Sequence, residues 1–214
     1  DGTEVAGIVG TGLNFAYWEN RSRIAPLKLS QMNHFSQAEV AVNIESKNFD
    51  KIPATGLRDI VDLQSGDIGH SLAEKEAAGA YLYQIFNAGK ERIMGKDFPD
   101  LTSTDQLNDI ITGAFQFPSL TTDNRKLITE KFVLQIFHRS AQIVAIQLCG
   151  ILMKISKTKG IVSIIMEGGI FWKAHNYPSL VNQYVHAILP EVIPSFARLF
   201  GSSRRGIAIL ARSG

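Results

Sequence analysis

A glycine turn lies between two apolar runs near the start of the chain, and it limits the possible folds more than any other feature. Val5–Val9 is typical of a buried β-strand. Gly10-Thr11-Gly12 follows it directly, and strand character resumes over residues 14–18. The pattern predicts a β-hairpin whose glycines let backbone amides approach a ligand, with the Thr11 hydroxyl as a further donor. Such a turn suits a phosphate group, and a hairpin that binds nothing explains the bare triplet equally well.

Length and composition predict one domain with a substantial core. The chain has 214 residues, 45% of them apolar, and a formal net charge of +2. The sequence has no basic tract that would predict a nucleic-acid or membrane partner. Its longest apolar stretch, residues 141–155, is too short to span a bilayer. Cys149 is the only cysteine, and its apolar neighbours favour a buried thiol over a nucleophile. The histidines lack the spacing of metal ligands. These features predict a soluble, cytoplasmic protein without a metal site of its own.

Apolar periodicity predicts strands first and then alternating helices and strands. Strands are predicted at residues 5–9, 14–18, 23–25, 40–44, 161–166 and 195–199, and helices at residues 71–88, 105–111, 123–158, 177–189 and 207–211. The run at residues 161–166 is continuously apolar, which is typical of a strand buried on both faces. This order predicts an α/β fold in which helices flank a mixed sheet.

Three glycine turns follow three of the predicted strands. They are Gly10–Gly12, Gly168–Gly169 and Gly201. Ligands of open α/β sheets bind beyond the carboxyl ends of the strands, so the three turns are expected to enclose one nucleotide. Glycines also end strands where nothing binds. No segment completes the P-loop pattern.

Several segments, taken in order, have the spacing of a known set of motifs. They are Gly10-Thr11-Gly12-Leu13-Asn14, Val42-Asn43-Ile44-Glu45, Glu74-Lys75 with Gly79-Ala80-Tyr81-Leu82, Glu167-Gly168-Gly169 with Lys173, and Gly201-Ser202. The set resembles the motifs of hexokinases and glucokinases, sugar kinases with the actin-like ATPase fold. The resemblance implies an RNase H-like α/β domain, the large C-terminal domain of a hexokinase-like enzyme that transfers phosphate from ATP, bound with Mg²⁺, to a hexose such as glucose.

The same resemblance implies roles for individual residues. Asn14, Glu45 and Glu74 would bind the sugar, for which ionised carboxylates and an amide are suitable hydrogen-bonding groups. The nucleotide-binding residues would be Gly10, Thr11, Gly12, Gly168, Gly169, Gly201 and Ser202. Local sequence offers other interpretations of both glutamates. Glu74 completes an S-x-x-E capping box with Ser71, and Glu45 is equally suited to a solvated surface.

The chain departs from the family pattern at several points, among them Glu167 in place of an aspartate and a loop at Ser203-Arg204-Arg205 that is one residue longer. Ser46-Lys47 stands after Glu45 where the family has tryptophan and glycine. The family's proton-accepting aspartate and its small N-terminal domain precede the glycine hairpin, so this chain is expected to be a domain cut from a longer protein and inactive alone. A non-catalytic sugar- or nucleotide-binding module and an unrelated α/β nucleotide-binding domain are the alternatives. An Asn-Asp-Thr-like segment upstream would favour the kinase.

Overall fold

The glycine turn joins the first two strands of a five-stranded sheet. The computed structural model describes residues 5–25, 38–96, 98–119 and 121–199. The strands are β1 (Val5–Val9), β2 (Leu13–Asn20), β3 (Glu39–Asn43), β4 (Gly160–Glu167) and β5 (Val192–Ala197). Across the turn the Gly10 N–H donates to the Gly12 carbonyl at 3.0 Å. The predicted hairpin is therefore present as β1 and β2.

The sheet is mixed, and its parallel half determines where a ligand can bind. The strand order is β3-β2-β1-β4-β5. β2 is antiparallel to β1 and β3, whereas β4 is parallel to β1 and β5. The carboxyl ends of β1, β4 and β5 therefore lie at one edge of the sheet, which is where open α/β sheets bind ligands. This arrangement confirms the predicted α/β class.

A long central helix organises the helical layer. The helices are α1 (Gly56–Leu63), α2 (Leu72–Ala77), α3 (Leu82–Met94), α4 (Asp105–Thr112), α5 (Asp123–Lys154), α6 (Gly169–Lys173) and α7 (Tyr177–Ile188). Helix α5 packs against α2, α3, α4 and α7. By length and composition it could cross a membrane, but 67% of its most apolar window is buried inside the protein, as in the core helix of a globular domain. It ends before the predicted boundary, because Ser156 has a φ of 62°.

The helix predicted at residues 71–88 is broken into α2 and α3. Ala78 takes an extended conformation, and the next two amides leave the helical pattern to bond to the glycine turn. The Gly79 N–H donates to the Gly10 carbonyl at 2.7 Å, and the Ala80 N–H to the Thr11 carbonyl at 3.2 Å. Tertiary hydrogen bonds thus replace helical ones, which local periodicity does not predict.

Two further expectations are wrong. Residues 23–25 were predicted as a strand, but the described chain forms a 3-10 turn at Arg21–Arg23. Strand β4 is buried on one face only: Val162 and Ile164 belong to the core, whereas Ile161 is 76% exposed. Within the described residues, helices cover just one face of this strand. The helix predicted at residues 207–211 lies outside them.

Candidate functional site

The carboxyl ends of β1 and β4 approach each other so closely that only glycine fits between them. Gly168 has a φ of 107°, and a Cβ atom added to it would lie 2.2 Å from the Val9 carbonyl oxygen and 2.7 Å from the Gly10 nitrogen. Any side chain at Gly168 would both strain its backbone and collide with β1. The two predicted glycine turns therefore form one continuous edge.

A groove of about 360 Å³ opens along this edge. It is lined by Gly10, Thr11, Gly79, Ala80, Tyr83, Thr102, Ser103, Thr104, Asp105, Gly169, Ile170 and Lys173. Predicted nucleotide-binding residues Gly10, Thr11 and Gly169 share this groove. Main-chain groups, hydroxyls and the Lys173 ammonium are the groups that bind phosphate in proteins. The groove can therefore hold a polyphosphate.

The segment Thr102-Ser103-Thr104 reaches the groove without having been predicted there. The Thr104 hydroxyl donates to the Gly79 carbonyl at 2.6 Å, and the Tyr83 N–H donates to the Thr104 oxygen at 3.3 Å. These bonds join the start of α4 to the break between α2 and α3. Three consecutive hydroxyl-bearing residues directly before a helix were the sequence feature that could have indicated a role for this segment at the groove.

Gly12, also predicted to bind the nucleotide, does not line the groove. It lies beside Glu74 instead, because a Cβ atom added to it would lie 2.7 Å from the Glu74 Oε1 atom. A side chain at Gly12 would therefore displace the Glu74 carboxylate. Gly201 and Ser202 fall outside the described residues.

A chain of hydrogen bonds links two of the predicted sugar-binding residues. The Asn14 amide donates to the Asn43 oxygen at 2.5 Å, and the Asn43 amide donates to the Glu45 carboxylate at 2.6 Å. The Asn14 oxygen in turn accepts from the Ser46 N–H at 3.1 Å. Glu45 is exposed and has a φ of 54°, immediately before a 3-10 turn at Ser46–Asn48. β2 and this turn therefore hold Asn14 and Glu45 together.

The third predicted sugar residue, Glu74, joins the same hairpin from α2. Its Oε1 atom accepts a hydrogen bond from the Leu13 N–H at 3.1 Å. Ser71 has a φ of 54° and makes no side-chain cap, so the capping-box interpretation of Glu74 is wrong. Asn14, Glu45 and Glu74 thus gather around the first residues of β2, with Glu74 bonded to the neighbour of Asn14.

Lys75 anchors the loop that leads into α2. Its side chain is fully buried, and its Nζ atom lies 2.7 Å from an Asp62 oxygen and 2.8 Å from an Asp67 oxygen. Nζ also donates to the carbonyls of Asp67 and His70. The hydrogen bond from Lys75 is the main cause that lowers the pKa of both aspartates. Burial alone would lower the pKa of Lys75, but the two carboxylates outweigh it and raise that pKa.

Other candidate chemical groups are inert or scattered. Burial raises the pKa of the Cys149 thiol to about 11, so the thiol is protonated at neutral pH. The described part of the chain contains no group of three or more His, Cys, Asp or Glu residues that could hold a metal ion.

The strand order, the glycine edge and the hairpin with its polar residues define an α/β domain of the RNase H-like, actin-like ATPase class. The sequence model of the family described as Hexokinase matches residues 4–89 and 90–212, nearly the whole chain, and the chain belongs to the hexokinase family.

Similar proteins extend well beyond this chain. A hexokinase of Emericella nidulans is 26% identical over 219 residues, which cover 87% of this chain and 43% of that protein. The structure of a hexokinase from Schistosoma mansoni complexed with glucose has a TM-score of 0.75 at 19% identity, covering 92% of this chain and 50% of the other. Another hexokinase crystal structure has a TM-score of 0.67 at 20% identity. The chain therefore spans about half the length of the relatives that it matches.

Proposed function

We propose that the intact protein transfers the γ-phosphoryl group of ATP to a hydroxyl of a hexose such as glucose, and that this chain contributes part of both binding sites. The observation that carries the proposal is that one turn borders both the groove and the predicted sugar-binding residues. Gly10 and Thr11 line the groove, whereas the N–H of Leu13, next to Asn14, donates to the Glu74 carboxylate. Phosphoryl transfer depends on holding donor and acceptor in line, and a shared turn fixes their separation.

The nucleotide phosphates lie along the groove in this proposal. Backbone amides of the turn, the Thr11 hydroxyl and Lys173 bind them, and Mg²⁺ enters with the nucleotide. The Mg²⁺ ion offsets charge on the phosphate oxygens when bound. Lys173 projects from α6, whose first residue follows Gly168, so the glycine edge brings this cation beside the turn.

The hexose lies on the other side of the same turn. Asn14, Glu45 and Glu74 accept hydrogen bonds from its hydroxyls, and Asn14 also donates one. The proton-accepting aspartate and the domain that closes over the sugar belong to the remaining half of the protein. Closure of that domain over the sugar excludes water, which would otherwise compete with the sugar as the phosphoryl acceptor.

Substitution of Thr11 tests the nucleotide half of the proposal. In the intact protein, Thr11→Val should weaken MgATP binding about tenfold in isothermal titration, because one hydrogen bond to a charged phosphate is lost. Thr112→Val is the matched control, since Thr112 is exposed and bonds within its own helix. An unchanged dissociation constant for Thr11→Val would exclude the groove as the phosphate site.

A non-catalytic binding module is the second candidate, and one observation favours it. Both ends of the Asn14 amide already have protein partners, Asn43 and the Ser46 N–H, so a sugar must displace or share them. Such a module would bind glucose or ATP in titrations and give no glucose 6-phosphate with the intact protein. Product formation by the intact protein would exclude this candidate.

A further inference from the structure

A second cavity, larger than the groove, lies on the helical side of the sheet. It has a volume of about 630 Å³ between β2, the turn after β3 and the last part of α5. It is lined by Tyr17, Ile44, Glu45, Ser46, Asn48, Phe49, Ile146, Gln147, Gly150, Ile151 and Lys154. We call it the α5 cleft. Apolar side chains form most of its wall, as in small-molecule sites.

Two buried polar side chains on the wall of the α5 cleft have no hydrogen-bond partner among the residues that the structure describes. Gln147 is 8% exposed, and neither its amide nitrogen nor its amide oxygen is bonded. Ser46 is 1% exposed, and its hydroxyl is also unbonded. Each such group carries an uncompensated desolvation penalty when buried, and native structures contain few of them. A ligand that supplies a donor and an acceptor would satisfy Gln147 and remove this cost.

The charged side chains at the cleft already have partners within the protein. Lys154 lies 3.4 Å from the Glu19 carboxylate, and Glu45 accepts from the Asn43 amide. An ionised ligand would have to compete with these contacts and lose its hydration among apolar side chains. The cleft therefore favours an uncharged molecule.

We propose that the α5 cleft is a second ligand site, for an uncharged aromatic carboxamide. The ring packs on Phe49, Ile146 and Ile151, and the carboxamide exchanges reciprocal hydrogen bonds with the Gln147 amide. A bicyclic ring fits well within the cavity volume. The cleft is separate from the groove and shares Glu45 with the proposed sugar site, and its test uses neither sugar nor nucleotide.

Titration of the 214-residue chain with naphthalene-2-carboxamide tests the proposal. The carboxamide should bind at least about fivefold more tightly than 2-naphthoate, whose ring is the same but whose charged carboxylate has no N–H to donate. Gln147→Leu should weaken carboxamide binding at least about fivefold, because leucine keeps the apolar wall and removes the amide that bonds to the carboxamide. Absence of carboxamide binding, or equal binding of the two compounds to the unmodified chain, would overturn the proposal.

A cleft-filling variant locates the binding. A Cβ atom added to Gly150 meets nothing within 4 Å, so Gly150→Leu extends a side chain into the α5 cleft and also favours the helix. This variant should weaken carboxamide binding at least about tenfold. Gly56→Leu is the control, because its added Cβ atom is equally free of contacts and lies in α1. Undiminished binding to Gly150→Leu would place the carboxamide elsewhere and refute the α5 cleft as its site.

Discussion

At the scale of single residues, the resemblance to hexokinase motifs predicted which polar groups would lie near the hairpin, but not how they are held. Asn14, Glu45 and Glu74 lie far apart in sequence and gather at one hairpin. The capping-box rule gave Glu74 the wrong partner, because this rule considers only residues close in sequence. The group that bonds to the Glu74 carboxylate is the Leu13 N–H, which is distant in the chain. Gln147 could not be singled out from sequence, since a polar residue within an apolar helix resembles a simple interruption.

Substitution of Glu45 tests the sugar site directly. In the intact protein, Glu45→Ala should weaken glucose binding by roughly 1.5–3 kcal/mol, the scale of a hydrogen bond to a charged group. Isothermal titration with glucose measures this change. Glu39→Ala is the matched control, because Glu39 is an exposed glutamate at the other end of β3. Equal affinities of Glu45→Ala and the unmodified protein would remove Glu45 from the sugar site.

At the scale of secondary-structure elements, strands were easier to predict than the helix in contact with the turn. Short apolar runs next to the glycine turn and to polar segments located β1, β2 and β3 to within a few residues. The break between α2 and α3 has no local cause, since it is produced by hydrogen bonds to the glycine turn. The prediction that β4 is buried on both faces was wrong for a similar reason. The apolar composition of a strand does not show which face of the sheet is covered by helices.

The contact between β1 and β4 should tolerate no side chain at Gly168. Gly168→Ala should lower the free energy of unfolding by about 2 kcal/mol or more, because backbone strain and overpacking act together. Its neighbour provides the control: a Cβ atom added to Gly169 meets nothing within 4 Å, so Gly169→Ala should unfold with an almost unchanged midpoint. Denaturant unfolding of both variants makes the comparison, and equal stability would contradict the close approach.

The buried Lys75 cluster should give the loop before α2 a defined pH dependence. Lys75→Met should lower the free energy of unfolding by about 3 kcal/mol near neutral pH, as when one partner of a buried ion pair is removed. Lys126→Met is the control, because Lys126 pairs with Asp123 at the surface, where the carboxylate is 98% exposed.

The sign of the pH effect follows from the pKa shifts. The aspartates have pKa values lowered from 3.8, so their contribution is present above that pH and is lost as pH falls through the lowered values. Lys75 has a pKa raised from 10.5, so its contribution is complete below that pH and is lost as pH rises through the raised value. The difference in melting temperature between the unmodified chain and Lys75→Met should be constant between about pH 5 and pH 9 and shrink in acid. A difference that grows in acid would exclude the ion cluster as its cause.

At the scale of the whole molecule, we expect the 214-residue chain to fold alone and to show no hexokinase turnover. One continuous core joins the strands to α5 and α7, which is sufficient for a domain of this size. Activity should be absent, because in the proposed arrangement the chain provides only one wall of each site, and phosphoryl transfer needs several parts at once.

Circular dichroism and a coupled assay with glucose and MgATP test the two halves of this expectation. A cooperative thermal transition without turnover would agree with it. Substantial turnover by the chain alone would show that the proton acceptor lies within these residues. The intact protein, assayed in parallel, is the positive control.

The hydrogen bonds between the helix break and the glycine turn determine which mutations this segment can tolerate during evolution. Both are made by main-chain atoms, from Gly79 and Ala80 to the carbonyls of Gly10 and Thr11. A codon change at position 80 to any residue except proline keeps the backbone N–H. Insertion or deletion of one codon between Glu74 and Ala80 would instead change the spacing between the carboxylate and the two amides. Related sequences should therefore differ between Glu74 and Ala80 by amino-acid substitutions. An alignment of these sequences should show no insertion or deletion in this segment.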